Sequence, residues 1–259
     1  MLDKTRLLRR LAAGWIAAMQ RHRFDVLLGA LLLLLLAAPV VRLLGPERSP
    51  RLAQFTVSVV FAAMLLSAVF AVCRTRRSVA VGLTLVLSAI ALYELSLHVA
   101  WAGILGISHL FSIGFLAYTI VVVLRFLFTS QRVSLNTIWA SVCVYLLLGV
   151  LWANAYSLIN LLEPKSFVFA LAEDQHAGTM RFGGESSIYP LYYSFVTLST
   201  LGYGDIVPTS PAARMFAAVE AIMGQLYLAV LVARLVGMHI AQSTSGSELD
   251  LPEGPETHA

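Results

Sequence analysis

Six stretches of the chain are long and apolar enough to cross a lipid bilayer: residues 24–44, 52–73, 79–99, 108–128, 136–160 and 212–240. A bilayer core of about 30 Å takes about 20 apolar residues in a helix, because backbone polar groups find no water there. A seventh apolar stretch, 188–200, is too short; at about 1.5 Å per residue it reaches about 20 Å. With 59% hydrophobic and 12% charged residues, the 259-residue chain has more apolar surface than a water-soluble domain can hide. The pattern predicts an all-α membrane protein, with six transmembrane helices and one re-entrant helix. A lipid bilayer is its expected partner, and nucleic acid is not.

The 18 basic residues divide unevenly between the two sides. Six precede the first span, from Lys4 to Arg23; Arg74, Arg76 and Arg77 follow the second; Arg125 and Arg132 close the fourth; Arg234 lies late in the sixth. The other side holds Arg42, Arg48, Arg51, Lys165, Arg181 and Arg214. The positive-inside rule then predicts a multi-pass protein of the cell membrane with both termini in the cytoplasm. Segment 161–211 falls at the outer face. The basic start, the "LLLLLL" run and Ala37-Ala38 have some features of a signal peptide. The long charged region and the apolar continuation through Pro39 to Leu44 favour a retained first span.

Residues 1–23 have Leu8, Leu11, Trp15 and Met19 on one helical face, which allows an amphipathic helix at the inner membrane surface or a basic tail that only fixes topology. Residues 24–128 form a four-helix bundle in this reading, with an outer connection around Gly103–Ile107 between the third and fourth spans. The outer turret, 161–187, contains "SFVFALAEDQHAGTMRF", which reads as a hairpin turning at "EDQHAG". The last 19 residues, 241–259, read as a disordered polar tail, leaving no room for a nucleotide- or calcium-binding domain. Ligand control would then use the spans, the basic amino terminus, lipids or a separate regulatory protein. Cys73 and Cys143 lie near inner span ends and read as small packing residues.

Between the short apolar stretch and the last span lies "TLSTLGYGDIVP", residues 197–208. Carbonyls along a strand alternate sides, so aiming successive ones the same way requires positive φ at alternate residues. Glycine tolerates that best, and Gly202 and Gly204 stand at every second position. Leu201 and Tyr203 then turn their side chains away from the carbonyl row, and Thr200 can add its hydroxyl. A row of carbonyls can replace the water around a bare cation. The short helix 188–200 points its carboxyl end, favourable for a cation, toward the bilayer centre. One such turn cannot encircle an ion, so the arithmetic predicts a symmetric homotetramer. A dinucleotide fingerprint fails, because Val207 stands where its third glycine would be.

"TLSTLGYGD" resembles the selectivity-filter signature of potassium channels, T-V-G-Y-G-D. The stretch from Tyr189 through Gly237 is similar to the bacterial two-helix potassium-channel pore family. The resemblance implies a tetrameric architecture like that of voltage-gated channels, with the pore domain in 136–240: outer helix 136–160, pore helix 188–200, filter 200–205 and inner helix 212–240. It implies potassium-selective, passive conduction, with K+ held by the carbonyls of Thr200, Leu201, Gly202 and Tyr203 and by the Thr200 hydroxyl, and Gly204 completing the filter. K+ in the filter is then the bound ion, with no organic cofactor. Asp205, Tyr192, Tyr193, Thr197 and Ser199 are the expected filter supports, and Gly224 falls near the family's inner-helix hinge. Leu201 replaces the commoner valine. Val196 stands where some members carry a glutamate partner for the aspartate, so Asp205 needs another, a tyrosine hydroxyl or Arg214.

The first four spans stand where six-span channels carry a voltage sensor, but the fourth has one arginine, Arg125, rather than an array. No steep voltage dependence is therefore expected. Glu94 and His98 lie four residues apart on the third span, and His109 begins the next. They read as an outer proton or metal sensor, or as a polar set that orders the bundle. Glu220 reads as packed behind the filter with a polar partner; which of Gln225 and Tyr227 faces the pore stays open. Two other functions stay open: a weakly selective cation channel, if the Leu201 filter packs loosely, and a non-conducting subunit or scaffold. No enzyme is expected, because neither H-E-x-x-H nor a nucleophile motif occurs.

Overall fold

The computed structural model describes residues 23–44, 59–69, 102–130, 134–170 and 188–247, with separate positions between 82 and 95. Helices dominate: α1 (Arg23–Leu44), α2 (Val59–Val69), α3 (Ala102–Thr129), α4 (Leu135–Leu162), α5 (Ile188–Leu198) and α6 (Pro211–Ser247). Two three-residue strands accompany them, β1 (Phe167–Phe169) and β2 (Ile206–Pro208). Among the described residues, three helices are long and apolar enough to cross a membrane: Gly103–Thr129, Leu135–Leu162 and Pro211–Met238. The first expected span is helical over the 22 residues of α1. The second and third are described only in part. The basic segment 1–22, Cys73, Glu94, His98 and residues 171–187 lie outside the described residues.

Local chemistry sets several boundaries. Ser134 caps α4: its backbone is extended and its Oγ accepts the Thr137 N–H. Ser210 does the same for α6, accepting the Ala213 N–H at 3.2 Å. Pro211 follows as the first helical residue, where a missing N–H costs nothing. Two expectations need correction. Gly103–Ile107 is not a connection but the first turns of α3. A Cβ built on Gly106 would make ordinary contact with Leu161 and Leu158 of α4, so this glycine lies where the two helices pack rather than in a turn. The tail does not begin at 241, because α6 continues to Ser247. No proline interrupts it before Pro252, and each intervening polar residue costs well under about 1 kcal/mol in a helix.

α4 is the hub of the fold. Its residues Ala140, Cys143, Val144, Leu147 and Leu148 are buried in one core with Phe24, Leu27 and Leu31 of α1 and Phe115, Leu116 and Val123 of α3. The Phe24 and Phe126 rings lie 5.1 Å apart, and the Cys143 thiol meets the Phe24 carbonyl at 3.5 Å. The start of α1, the end of α3 and the start of α4 therefore share one end of the bundle. Arg234 of α6 joins them there, donating to the carbonyls of Leu127 and Ser130 and lying 4.9 Å over the Phe128 ring. A second core, Trp152, Tyr156, Phe167, Tyr193, Ile206 and Ala213, fills the opposite end.

Of the expected turret hairpin only the first arm is described. It is β1, which pairs antiparallel with β2, the strand after the glycine turn; Val168 faces Val207. The second arm lies outside the described residues. Thr209 completes the tie, its N–H donating to Ser166 O at 2.8 Å and its hydroxyl to Lys165 O at 2.6 Å. The segment leaving the glycine turn is thus stitched to the end of α4.

Candidate functional site

α5 enters the bundle beside α4 and α6 and stops short. Its last carbonyls, unpaired within any helix, are taken by the chain that follows. Ser199 N–H donates to Phe195 O, Thr200 N–H to Thr197 O, and Leu201 N–H to Val196 O at 2.9 Å. Gly202 N–H also reaches Val196 O, at 3.3 Å. These bonds turn the N–H groups of the segment toward the helix. Among the described residues, none of the carbonyls of Thr200, Leu201, Gly202 and Tyr203 accepts a backbone hydrogen bond.

Three alternate residues take left-handed backbone: Thr200 at φ 57°, Gly202 at φ 58° and Gly204 at φ 75°. The two glycines are the expected ones. Thr200 is an addition that residue type could not show, since a β-branched residue resists this conformation. Its N–H bond to Thr197 and the Gln225 amide, 3.2 Å from its Oγ1, both act on the strained residue. Leu201 and Tyr203 are 56% and 66% exposed in the single chain.

The expected supports fall into two groups. Tyr192 donates its hydroxyl to Asp205 Oδ2 at 2.7 Å, so the aspartate's partner is a tyrosine. Arg214, the other candidate, instead donates from Nε to Pro208 O. The second Asp205 oxygen accepts the Ile206 N–H, and its carbonyl accepts the Ala170 N–H. Tyr193 is buried edge-on to Tyr156 and Phe167, with ring centroids 5.0 and 5.1 Å away. Its hydroxyl is bonded to the Thr197 side chain. Ser199 turns back to Phe195 O and serves the helix end rather than the turn.

Behind α5 sits Glu220, fully buried on α6. Ser194 of α5 donates to its Oε1 at 2.6 Å, and Tyr156 of α4 donates to its Oε2. A glutamate in an apolar span signals that donors must be near. Nothing in the sequence pattern said that they would be Ser194 and Tyr156. One turn further on, Gly224 meets the end of α5: a Cβ there would lie 2.2 Å from the Leu198 carbonyl oxygen. Close approach therefore accounts for this glycine. Gln225 and Tyr227 point to different partners. Tyr227 faces α4, donating to Ser141 O at 2.7 Å, while Gln225 is exposed and turned to Thr200.

Of the expected outer sensor, Glu94 and His98 lie outside the described residues. His109 of α3 is hydrogen-bonded to Asn154 of α4 at 3.2 Å, which joins the first half of α3 to the second half of α4. No group of three His, Cys, Asp or Glu that could hold a metal occurs among the described residues.

A re-entrant helix, a carbonyl-presenting turn and a long following helix define a pore-loop membrane protein. Residues 142–240 match the family described as ion channel. The chain is 31% identical over 129 residues to the voltage-gated potassium channel Kch of Escherichia coli strain K12, covering 49% of this chain and 27% of that protein. The chain thus spans about a quarter of the curated relative it matches. No solved structure matches it. Over this pore region the chain is similar to ion channels, and the activity of the whole protein is taken up as a proposal below.

Proposed function

We propose that the chain is one subunit of a homotetrameric, potassium-selective channel that conducts K+ passively across the cell membrane. The observation that carries this reading is the alternation of left-handed residues at Thr200, Gly202 and Gly204 beside N–H groups tied to Val196. That backbone offers its oxygens on one side, as dehydrated K+ requires. In this reading the carbonyls of Thr200, Leu201, Gly202 and Tyr203, with the Thr200 hydroxyl, form the ion sites. Tyr192 and Asp205 brace the outer mouth, and Gly224 is the hinge of the inner helix. Assembly in fours is supported by the exposed Leu201 and Tyr203 side chains and the uncovered apolar face of α6. Six spans, with both termini cytoplasmic, accommodate the partly described 59–95 region and the grouping of basic residues.

The test is flux from purified protein in liposomes under a potassium gradient and then a sodium gradient. K+-selective flux is expected, with Gly202→Ala abolishing it, because a Cβ at φ 58° strains the carbonyl row. Equal Na+ and K+ flux would favour the weakly selective alternative. An assembled protein without flux in varied voltage, pH and lipid would favour the non-conducting subunit.

A further inference from the structure

Glu220 does more than fill space. It belongs to a two-point contact between the inner helix and the pore helix. On α6 the contact points are Glu220 and Gly224; on α5 they are Ser194 and Leu198. Each pair is separated by four residues, one helical turn, so the two helices meet in matched register. The first point is polar: Ser194 donates to Glu220 Oε1 at 2.6 Å. The second is steric: the Leu198 carbonyl leaves no room for a Cβ at Gly224. Tyr156 holds the other carboxyl oxygen, which fixes the side chain against the outer helix α4. The Tyr156 ring is itself held by Tyr193, Phe167 and Trp152. A buried carboxyl would be costly without these donors, and with them it ties three helices at one depth.

That depth matters for the turn. Val196, two residues beyond Ser194, is the acceptor for both Leu201 and Gly202 N–H. A shift of α5 along α6 therefore moves the segment whose carbonyls face the ion path. We infer that Glu220 is a positioning residue of the filter, setting the height of the pore helix on the inner helix through Ser194. It occupies on the inner helix the supporting role that Val196, an apolar residue, cannot play on the pore helix. The inference rests on the channel reading proposed above.

Facing carbonyls repel one another unless a cation lies between them. Ion occupancy and the Glu220 tie thus support the same geometry, and losing the tie exposes a dependence on K+. The experiment compares wild type with Glu220→Leu, Glu220→Gln, Ser194→Ala and Tyr156→Phe in liposomes, after native sizing has established assembly. Current in low external K+ should decay about tenfold faster, or more, in Glu220→Leu and Ser194→Ala, as loss of hydrogen bonds to a carboxyl implies. Raising external K+ should restore it. Tyr156→Phe should act less, since it frees only the outer helix. Glu220→Gln should fall between, because its amide oxygen still accepts from Ser194. Unchanged decay in the assembled variants would overturn the inference while leaving the channel reading intact. A loss of current that raised K+ does not repair would reduce Glu220 to a packing residue. If Glu220→Leu fails to assemble, Ser194→Ala and Tyr156→Phe decide the same question. A wild type without K+-selective flux would sink the channel reading and this inference with it.

Discussion

α4 and α6 each supply a 28-residue apolar span of matching hydropathy, yet the chain treats them in opposite ways. Over the most apolar part of each span, 56% is buried in α4 and 11% in α6. α4 is wrapped by α1, α3, α5 and the aromatic core at its carboxyl end. α6 touches α5 through Glu220 and Gly224, α4 through Tyr227 and α3 through Arg234, and leaves Met215, Ile222, Leu226, Val230 and Val232 exposed. An apolar helix in lipid has no need to be covered, so exposure alone is ambiguous. It becomes informative because Leu201 and Tyr203, at the end of the polar turn, are exposed as well. In the channel proposed above, this uncovered part of the chain is the part that faces the ion path.

The comparison can be broken most directly at its glycines. Gly224→Ala should destabilise the assembled protein by about 1–3 kcal/mol and depress K+ flux, because the obstructing atom is a backbone oxygen that cannot rotate away. Gly149→Ala on α4 should cost less, about 1 kcal/mol, since its Cβ would meet the movable Phe195 ring. Thermal unfolding of the assembled protein with flux measured in parallel checks both; equal costs would mean that the α5–α6 contact yields as readily as the Phe195 ring.

A polar probe sharpens the contrast further. Ile222→Asn places an amide on the uncovered side of α6 and should weaken assembly by about 1–3 kcal/mol, seen as smaller species on native sizing. Leu110→Asn, on the exposed face of α3, should leave assembly unchanged if that face meets lipid. The reverse result would relocate the contact between copies to α3. The smallest effect is expected at Gly237 of α6, where a Cβ meets nothing within 4 Å. Gly237→Ala should stabilise by about 0.5–1 kcal/mol through helix propensity alone. A loss of stability there would reveal a neighbouring copy pressed against Gly237.

Much of the pore was legible from residue types. The span positions of α3, α4 and α6 followed from hydropathy, and the short α5 from its length. Gly202 and Gly204 followed from the φ values that a one-sided carbonyl row demands. The misreadings share a cause. Gly103–Ile107 looked like a connection because glycine marks turns as well as helix contacts, and the helical backbone with the neighbouring α4 beside Gly106 tells them apart. The pairing of β1 with β2, from beyond the glycine turn, was not expected either, because its partner lies far away in sequence. Gly224 is a different case: its hinge role stands as proposed, and its close approach to Leu198 supplies a second reason for the residue.

By itself, then, the sequence determined which helices are apolar and long enough to cross a bilayer, where basic residues fall beside them, and that Gly202 and Gly204 stand at alternate positions of the turn. Each of these is a local property: hydropathy over one helix, charge beside one span, φ at one glycine. Only the tertiary structure decided that Tyr192 rather than Arg214 holds Asp205, that Ser194 and Tyr156 hold Glu220, and that Gln225 rather than Tyr227 meets Thr200. Several donors in the chain could serve each acceptor equally well by chemistry. Which one does so depends on the rotation and depth of whole helices, fixed by packing against neighbours far away in sequence.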